Sequence, residues 1–370
     1  MPECPKSDRP HPFTARGRGA THNPPVRFEA AHTDPFDDGW GTLDALAEAP
    51  PLATTLIRDA SRSAISWNKS PDLGFDRAVN PYRGCEHGCI YCFARPSHAY
   101  LGFSPGLDFE SKLTFKPEIA ALLERELKRP GYAARPIVLG SNTDPYQPVE
   151  RRLKLTRAIL EVMVRFSHPV AIVSKSAGML RDLDLLTALA EKRLVRVHLS
   201  ITTLDPGLAR AMEPRAATPA RRLDAIAALA RAGIPVGVLA APMIPGLNDA
   251  ELERILAAAA AAGAKHAGYT LLRLPHELRE LFEAWLAAHR PERARHVLDL
   301  IRETRGGGLN DSQFHRRFRG GGAYADLLAQ RFATAARKYG LLERRAELDS
   351  TLFSPHPGQA PARQLSLAFL

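Results

Sequence analysis

From about residue 78 to residue 275 the chain repeats one rhythm: a short apolar run rich in β-branched side chains, a polar break, then a longer stretch with apolar positions every three or four residues. The short runs fall at 137–139, 170–173, 195–201, 236–239 and 269–272, with 80–83 ahead of them as a first strand. Between them, Leu155, Ile159, Met163 and Phe166 share one helical face, and 180–190 forms a second helix. Leu223, Ile226 and Ala230 mark a third, closed by Gly233. Asn248 and Asp249 are placed to cap a fourth over 251–262. Repeated alternation of strand and helix implies right-handed crossovers and a parallel sheet, so the fold class is α/β. The pattern fits a partial, TIM-like (β/α)6 barrel, and it fits a flat doubly wound sheet as well. Leu278, Leu281, Phe282, Trp285 and Leu286 then share a helical face, and helical patterning continues to about residue 345 as a C-terminal extension.

Composition sets the boundaries. Residues 1–60 are rich in Pro, Arg, Asp and Gly and read as a mostly disordered tail; 75–290 holds the barrel domain, 291–350 the helical extension, and 351–370 a Pro-rich linker with a short apolar tail. A net charge of +10 favours a polyanionic partner such as nucleic acid, or is only a basic surface. Three of the four cysteines lie between residues 85 and 92, unlike a secreted disulfide scaffold. With no signal-peptide pattern and no apolar run of ~20 residues, the expectation is a cytoplasmic protein without a membrane partner.

The three cysteines stand in NPYRGCEHGCIYC (80–92), at the end of the first expected strand. Thiolates are soft ligands suited to zinc or to iron–sulfur clusters. Structural zinc draws four protein ligands, commonly as two CxxC-like pairs, and the chain has no second pair. Three cysteines on one loop instead leave one iron of a [4Fe-4S] cubane open to a small molecule. His87 reads as a solvated or hydrogen-bonded neighbour of the cluster rather than a fourth ligand, and Cys4 as a free thiol.

The CxxxCxxC spacing, with Tyr91 ahead of the last cysteine, resembles the signature of the radical S-adenosylmethionine (SAM) superfamily, over residues 80 to about 275. The resemblance implies that Cys85, Cys89 and Cys92 hold a [4Fe-4S] cluster whose open iron takes the amino and carboxylate groups of SAM. One electron then splits the cofactor into methionine and a 5'-deoxyadenosyl radical that removes a hydrogen atom from the substrate. It also implies cofactor contacts at the carboxyl ends of the strands. Tyr91 matches a position that approaches the adenine, or it shields the cluster from water. Ser141, Asn142, Thr143 and Asp144 stand where the family meets the methionine amino group, although the usual glycine-glycine-glutamate is missing and the same residues suit a turn. Lys175 is placed to pair with the cofactor carboxylate, or it is a surface lysine. Ser200 and Thr202 resemble ribose contacts, though threonine also suits any strand. Met243 and Gly246 sit in APMIPGLND (241–249), similar to the family's adenine motif. Leu271 opens LLRLP (271–275), similar to the sixth-strand segment, with Arg273 aimed at the mouth.

Within the superfamily, PYRGC (81–85) and TDPYQP (143–148) look most like the spore photoproduct lyase-like branch of DNA-repair type, which implies DNA as a partner and a lyase-like reaction. Such lyases use a further cysteine as hydrogen donor; outside the cluster this chain has only Cys4, which argues against identical chemistry. FHRRFR (314–319) interleaves aromatics with cations, as a phosphate- and base-stacking surface does, or forms the solvated face of a helix. The glycine runs 306–308 and 320–322 follow no strand and are not phosphate loops. QLSLAF (364–369) resembles the peptides that dock bacterial repair proteins on the sliding clamp, with Gln364, Leu367 and Phe369 as anchors. The competing readings are radical SAM modification of RNA or protein and, in another class, a non-catalytic zinc-stabilised nucleic-acid-binding module. The sequence does not identify the electron donor.

Overall fold

The β-branched runs form the middle of a seven-stranded sheet in the computed structural model, which describes residues 17–29, 52–342 and 347–357. The first strands are short: β1 (Thr55–Arg58), β2 (Ile65–Trp67), β3 (Arg77–Val79), β4 (Tyr82–Arg83) and β5 (Lys112–Phe115). Strands and helices then alternate as α1 (Ile119–Leu127), β6 (Ile137–Leu139), α2 (Leu155–Arg165), β7 (Val170–Ser174), α3 (Leu183–Glu191), β8 (Val195–Ser200), α4 (Pro219–Arg231), β9 (Val236–Met243), α5 (Leu252–Ala261) and β10 (His266–Leu271). The sheet order is β10-β9-β8-β7-β6-β3-β2, parallel throughout from β3 to β10, with β2 antiparallel at the edge. Six parallel strands in unbroken chain order lack the reversal that defines a doubly wound sheet, so the open (β/α)6 barrel is the architecture. The helical C-terminal part follows as α6 (Leu278–His289), α7 (Ala294–Thr304) and α8 (Ala323–Lys338). Among the described residues no helix is long and apolar enough to cross a membrane.

Register aligns the strand ends. Val79 lies beside Leu139, Leu139 beside Ile172, Ser174 beside Leu199, Ser200 beside Leu239, and Met243 beside Leu271. All six carboxyl ends therefore open on one rim. The main core fills the space around Ile137, Leu139, Ile172, Val197 and Val238. A second core sits at the rim, where Cys89, Ile90 and Tyr91 meet Met212, Ile244 and Leu272 and the apolar faces of α6 and α7, among them Phe282, Trp285, Val297 and Ile301. Burying each such side chain contributes about 1.5–3 kcal/mol, so the C-terminal helices hold the cysteine loop as well as themselves.

Four sequence expectations are corrected. The first parallel strand is Arg77–Val79, not 80–83; Pro81 has no N–H for a ladder, and Tyr82–Arg83 pairs instead with β5 in a separate three-stranded sheet. Asn248 does not cap a helix with its side chain. Its Oδ1 accepts from Ile244 N–H at 2.6 Å while Nδ2 donates to Thr202 O and Pro242 O, so it staples the loop after β9 to the end of β8. Residues 314–319 lie in turns between α7 and α8 rather than in a helix. Residues 17–29, read as part of a disordered tail, pack on the cysteine loop.

Candidate active site

Residues 84–92 lie outside helices and strands, so their backbone polar groups need partners elsewhere. They find them. Cys85 N–H donates to Phe109 O at 2.9 Å, Ile90 N–H to Met212 O at 3.0 Å and Cys92 N–H to Cys89 O at 3.2 Å. Gly88 O and Cys89 O accept from Arg95 Nη2 and Nε at 3.0 and 2.9 Å. Arg95 is fully buried, reaches Gly106 O at 2.8 Å through Nη1, and pairs with the equally buried Glu110. Glu110 also accepts Gly19 N–H at 2.9 Å and Ala20 N–H at 2.8 Å, which straps the N-terminal segment across the loop. That strap needs glycine on both sides. A Cβ on Gly19 would fall 1.8 Å from Gly88 O, and Gly88, at φ +67°, would put its own Cβ 2.6 Å from Glu110 Oε2.

TDPYQP clamps the other side of the loop. Thr143 Oγ1 donates to Tyr82 O at 3.0 Å, Gln147 Oε1 accepts Glu86 N–H at 2.8 Å, and Gln147 Nε2 donates to Gly84 O at 3.3 Å. His87 is buried, not solvated, with Nδ1 3.3 Å from Asp144 Oδ2. Asp144 further accepts from Ser174 Oγ and Lys175 N–H, each at 2.7 Å. Burial alone would raise its carboxyl pKa; the His87 imidazole and these donors outweigh burial and hold it down to about 2. Asp144 thus fixes neighbours rather than standing open on the rim. Ser141 and Asn142 stay partly exposed there, held by Asn80 through Ser141 Oγ at 3.2 Å and Asn142 N–H at 3.3 Å.

Cys85 and Cys89 are buried and Cys92 is partly exposed. Burial first, then Asp144 and the neighbouring thiols, pushes the Cys85 thiol well up; burial also raises Cys89, against the pull of the Lys175 ammonium. Iron cations in place of those protons reverse the penalty, so the donor set suits a cluster. Among the described residues no three His, Cys, Asp or Glu side chains converge on the point one ion would occupy; a cubane presents a different iron to each thiolate.

Lys175 faces this loop. Its ammonium lies 5.7 Å from the Tyr91 ring centroid. The Tyr91 hydroxyl donates to Glu213, which accepts Thr202 Oγ1 at 2.7 Å and pairs with buried Arg222; Arg222 Nη1 donates to Ser200 O at 2.9 Å. Tyr91, Ser200 and Thr202 are therefore parts of one buried network. Met243 and Leu271 are buried and paired across the ends of β9 and β10, in the main core. Gly246, at φ +73°, would bring a Cβ to 3.0 Å from Leu300 Cδ1, so its turn lets α7 come close. Arg273 stacks 4.9 Å from the Phe93 ring centroid, next to Cys92.

Arg95, Glu110, Gln147, Glu213 and Arg222 were not singled out from the sequence. TDPYQP gave a signal for Gln147; the two buried ion pairs gave none. Cys4 and the tail residues Gln364, Leu367 and Phe369 lie outside the described residues.

Known proteins point the same way. Residues 79–259 match the radical SAM superfamily. An uncharacterised protein of Mycobacterium tuberculosis is 38% identical over 279 residues, 74% of this chain and 78% of the relative. Another, of Methanocaldococcus jannaschii, is 28% identical over 196 residues, 53% of this chain and 70% of that one. Among solved structures, spore photoproduct lyase complexed with dinucleoside spore photoproduct superposes with a TM-score of 0.55 at 16% identity, covering 77% of this chain and 79% of the lyase. A mutant of that lyase with bound AdoMet gives 0.52 at 16% identity, covering 78% and 80%. These likenesses establish the fold, and with the sequence match they place this chain in the radical SAM superfamily, whose enzymes work with a [4Fe-4S] cluster and SAM.

Proposed function

We propose that this radical SAM enzyme acts on DNA in a lyase- or repair-type reaction, with Cys85, Cys89 and Cys92 as its cluster ligands. A bound [4Fe-4S] cluster with SAM supplies reductive cleavage to methionine and a 5'-deoxyadenosyl radical, the species that takes hydrogen from a substrate. The carrying observation is the thiol loop, pinned along its length, with its one histidine committed to Asp144 and an ammonium beside Cys89.

The remaining roles follow the rim. Lys175 would neutralise the cofactor carboxylate as a point charge, and Ser141 and Asn142 would accept from its amino group. Tyr91, held by Glu213, would hold the adenine together with Met243, Gly246 and Leu271, and Ser200 and Thr202 would border the ribose. The apolar core under α6 and α7 keeps water from the reacting centre. Asp144 is a positioning residue. DNA as substrate is supported by the +10 charge and by the cationic, aromatic mouth next to Cys92. A lyase solved with a dinucleoside photoproduct shares the fold.

Anaerobic reconstitution, then assay of 5'-deoxyadenosine after dithionite reduction with and without ultraviolet-irradiated DNA, tests this. Formation that rises with irradiated DNA and vanishes in Cys89→Ala is expected. Formation indifferent to DNA, yet stimulated by RNA or protein, overturns the substrate assignment.

A further inference from the structure

We infer that the mouth beside Cys92 receives unstacked nucleotides, single-stranded or flipped from a duplex, on a row of alternating aromatic rings and guanidinium groups. This rests on the DNA reading above and specifies the form of its substrate.

The row starts at the thiol loop. Phe93, directly after Cys92, is 45% exposed, and the Arg273 guanidinium lies 4.9 Å from its ring centroid and 5.4 Å from that of Phe318. Arg317 continues it, 4.8 Å from Phe318 and 5.1 Å from Phe314, which is 51% exposed. The outer part is built rather than draped. Arg317 donates to both Asp72 carboxylate oxygens at 2.8 and 2.6 Å, and Phe318 O accepts Leu271 N–H at 2.8 Å. Buried Arg305 donates to Leu271 O and Leu272 O at the end of β10 and to Arg316 O and Arg317 O in the turn, bolting the two together.

Two features call for a ligand. Arg273 makes no hydrogen bond or ion pair among the described residues; a phosphate would supply the missing anion, and Arg319 stands exposed in the same turn. Two large rings at the ends of a fixed row, Phe93 and Phe314, each carry one guanidinium and are otherwise about half exposed. Every base has a matching face, but in a duplex its neighbours cover it, so a ring platform selects bases already out of the stack.

The test is fluorescence anisotropy of the full-length, cluster-loaded protein with labelled single-stranded and duplex oligodeoxynucleotides of one sequence, at one salt concentration. The single strand should bind more tightly. Phe314→Ala and Arg273→Gln should each weaken it roughly tenfold, about the loss of one base stack, with iron content and melting temperature as in the parent. Phe314→Trp, which keeps a stacking face, should hold the affinity and covers the case in which the alanine variant misfolds. Equal binding of duplex and single strand, or both variants within about twofold of the parent, overturns the row. Single-stranded RNA separates the two readings: RNA bound through Phe314 and Arg273 while DNA is ignored keeps the row and removes DNA as substrate. DNA binding insensitive to both variants does the reverse.

Discussion

The Asp144 carboxylate stands between the thiol loop and the third parallel strand, and its loss should register at both. Its pKa lies below the ordinary 3.8, so the stabilisation it gives is complete above that value and disappears only as pH falls toward 2. Asp144→Asn should cost the apoprotein about 2 kcal/mol at neutral pH and lower iron retention as His87 loses its partner. Urea denaturation and iron analysis check this; unchanged values would mean the carboxylate holds nothing. Glu213→Gln leaves Arg222 buried without its anion, a loss of about 3–5 kcal/mol where no rearrangement relieves it. A Glu213→Gln protein with the parent's melting temperature would show the network to be dispensable. At this scale the cysteine loop stood out in the sequence because the CxxxCxxC spacing puts three thiols on one short segment. Glu213, Arg222, Arg95 and Glu110 did not, since a charged residue in sequence is presumed solvated and nothing in the pattern marks the two pairs, nine and fifteen residues apart, that folding buries together.

Among the elements, the strap over residues 17–29 ties the N-terminal segment to the site. Gly19→Ala should force Gly88 and its carbonyl away, lowering iron per chain after reconstitution while leaving the far-ultraviolet circular dichroism of the barrel in place. Full iron loading in Gly19→Ala would show that the strap and the loop are not coupled. The strap was hidden because Pro, Arg and Gly in a low-periodicity stretch read as disorder, whereas its order comes from two N–H groups meeting one buried carboxylate. The strand runs at 137–139 and 170–173 appear as expected, since apolar β-branched residues buried on both faces leave little alternative. Register at 80–83 failed on Pro81, and the expected helix over 314–319 failed because flanking glycines and Asp72 hold that segment in turns.

At the scale of the whole molecule, two buried histidines bear on stability toward acid. His98 and His168 are buried, and burial holds each pKa down to about 4. Between the ordinary 6.5 and 4 the unfolded chain binds protons that the folded chain refuses, so stability falls as pH drops through that window, by at most about 3 kcal/mol per histidine. His168→Gln should flatten the apoprotein's stability profile between pH 6.5 and 4; a profile as steep as the parent's would assign the acid sensitivity elsewhere. The barrel as a class was legible, while its choice over a doubly wound sheet required strand order, which periodicity does not carry. The central claim is a cubane held by three thiolates with one iron left for SAM, and Mössbauer spectroscopy of 57Fe-reconstituted protein reads that iron directly. Adding SAM should shift the signal of a single iron and leave the others unmoved; a spectrum without a [4Fe-4S] cluster, or one that SAM does not change, would contradict the account.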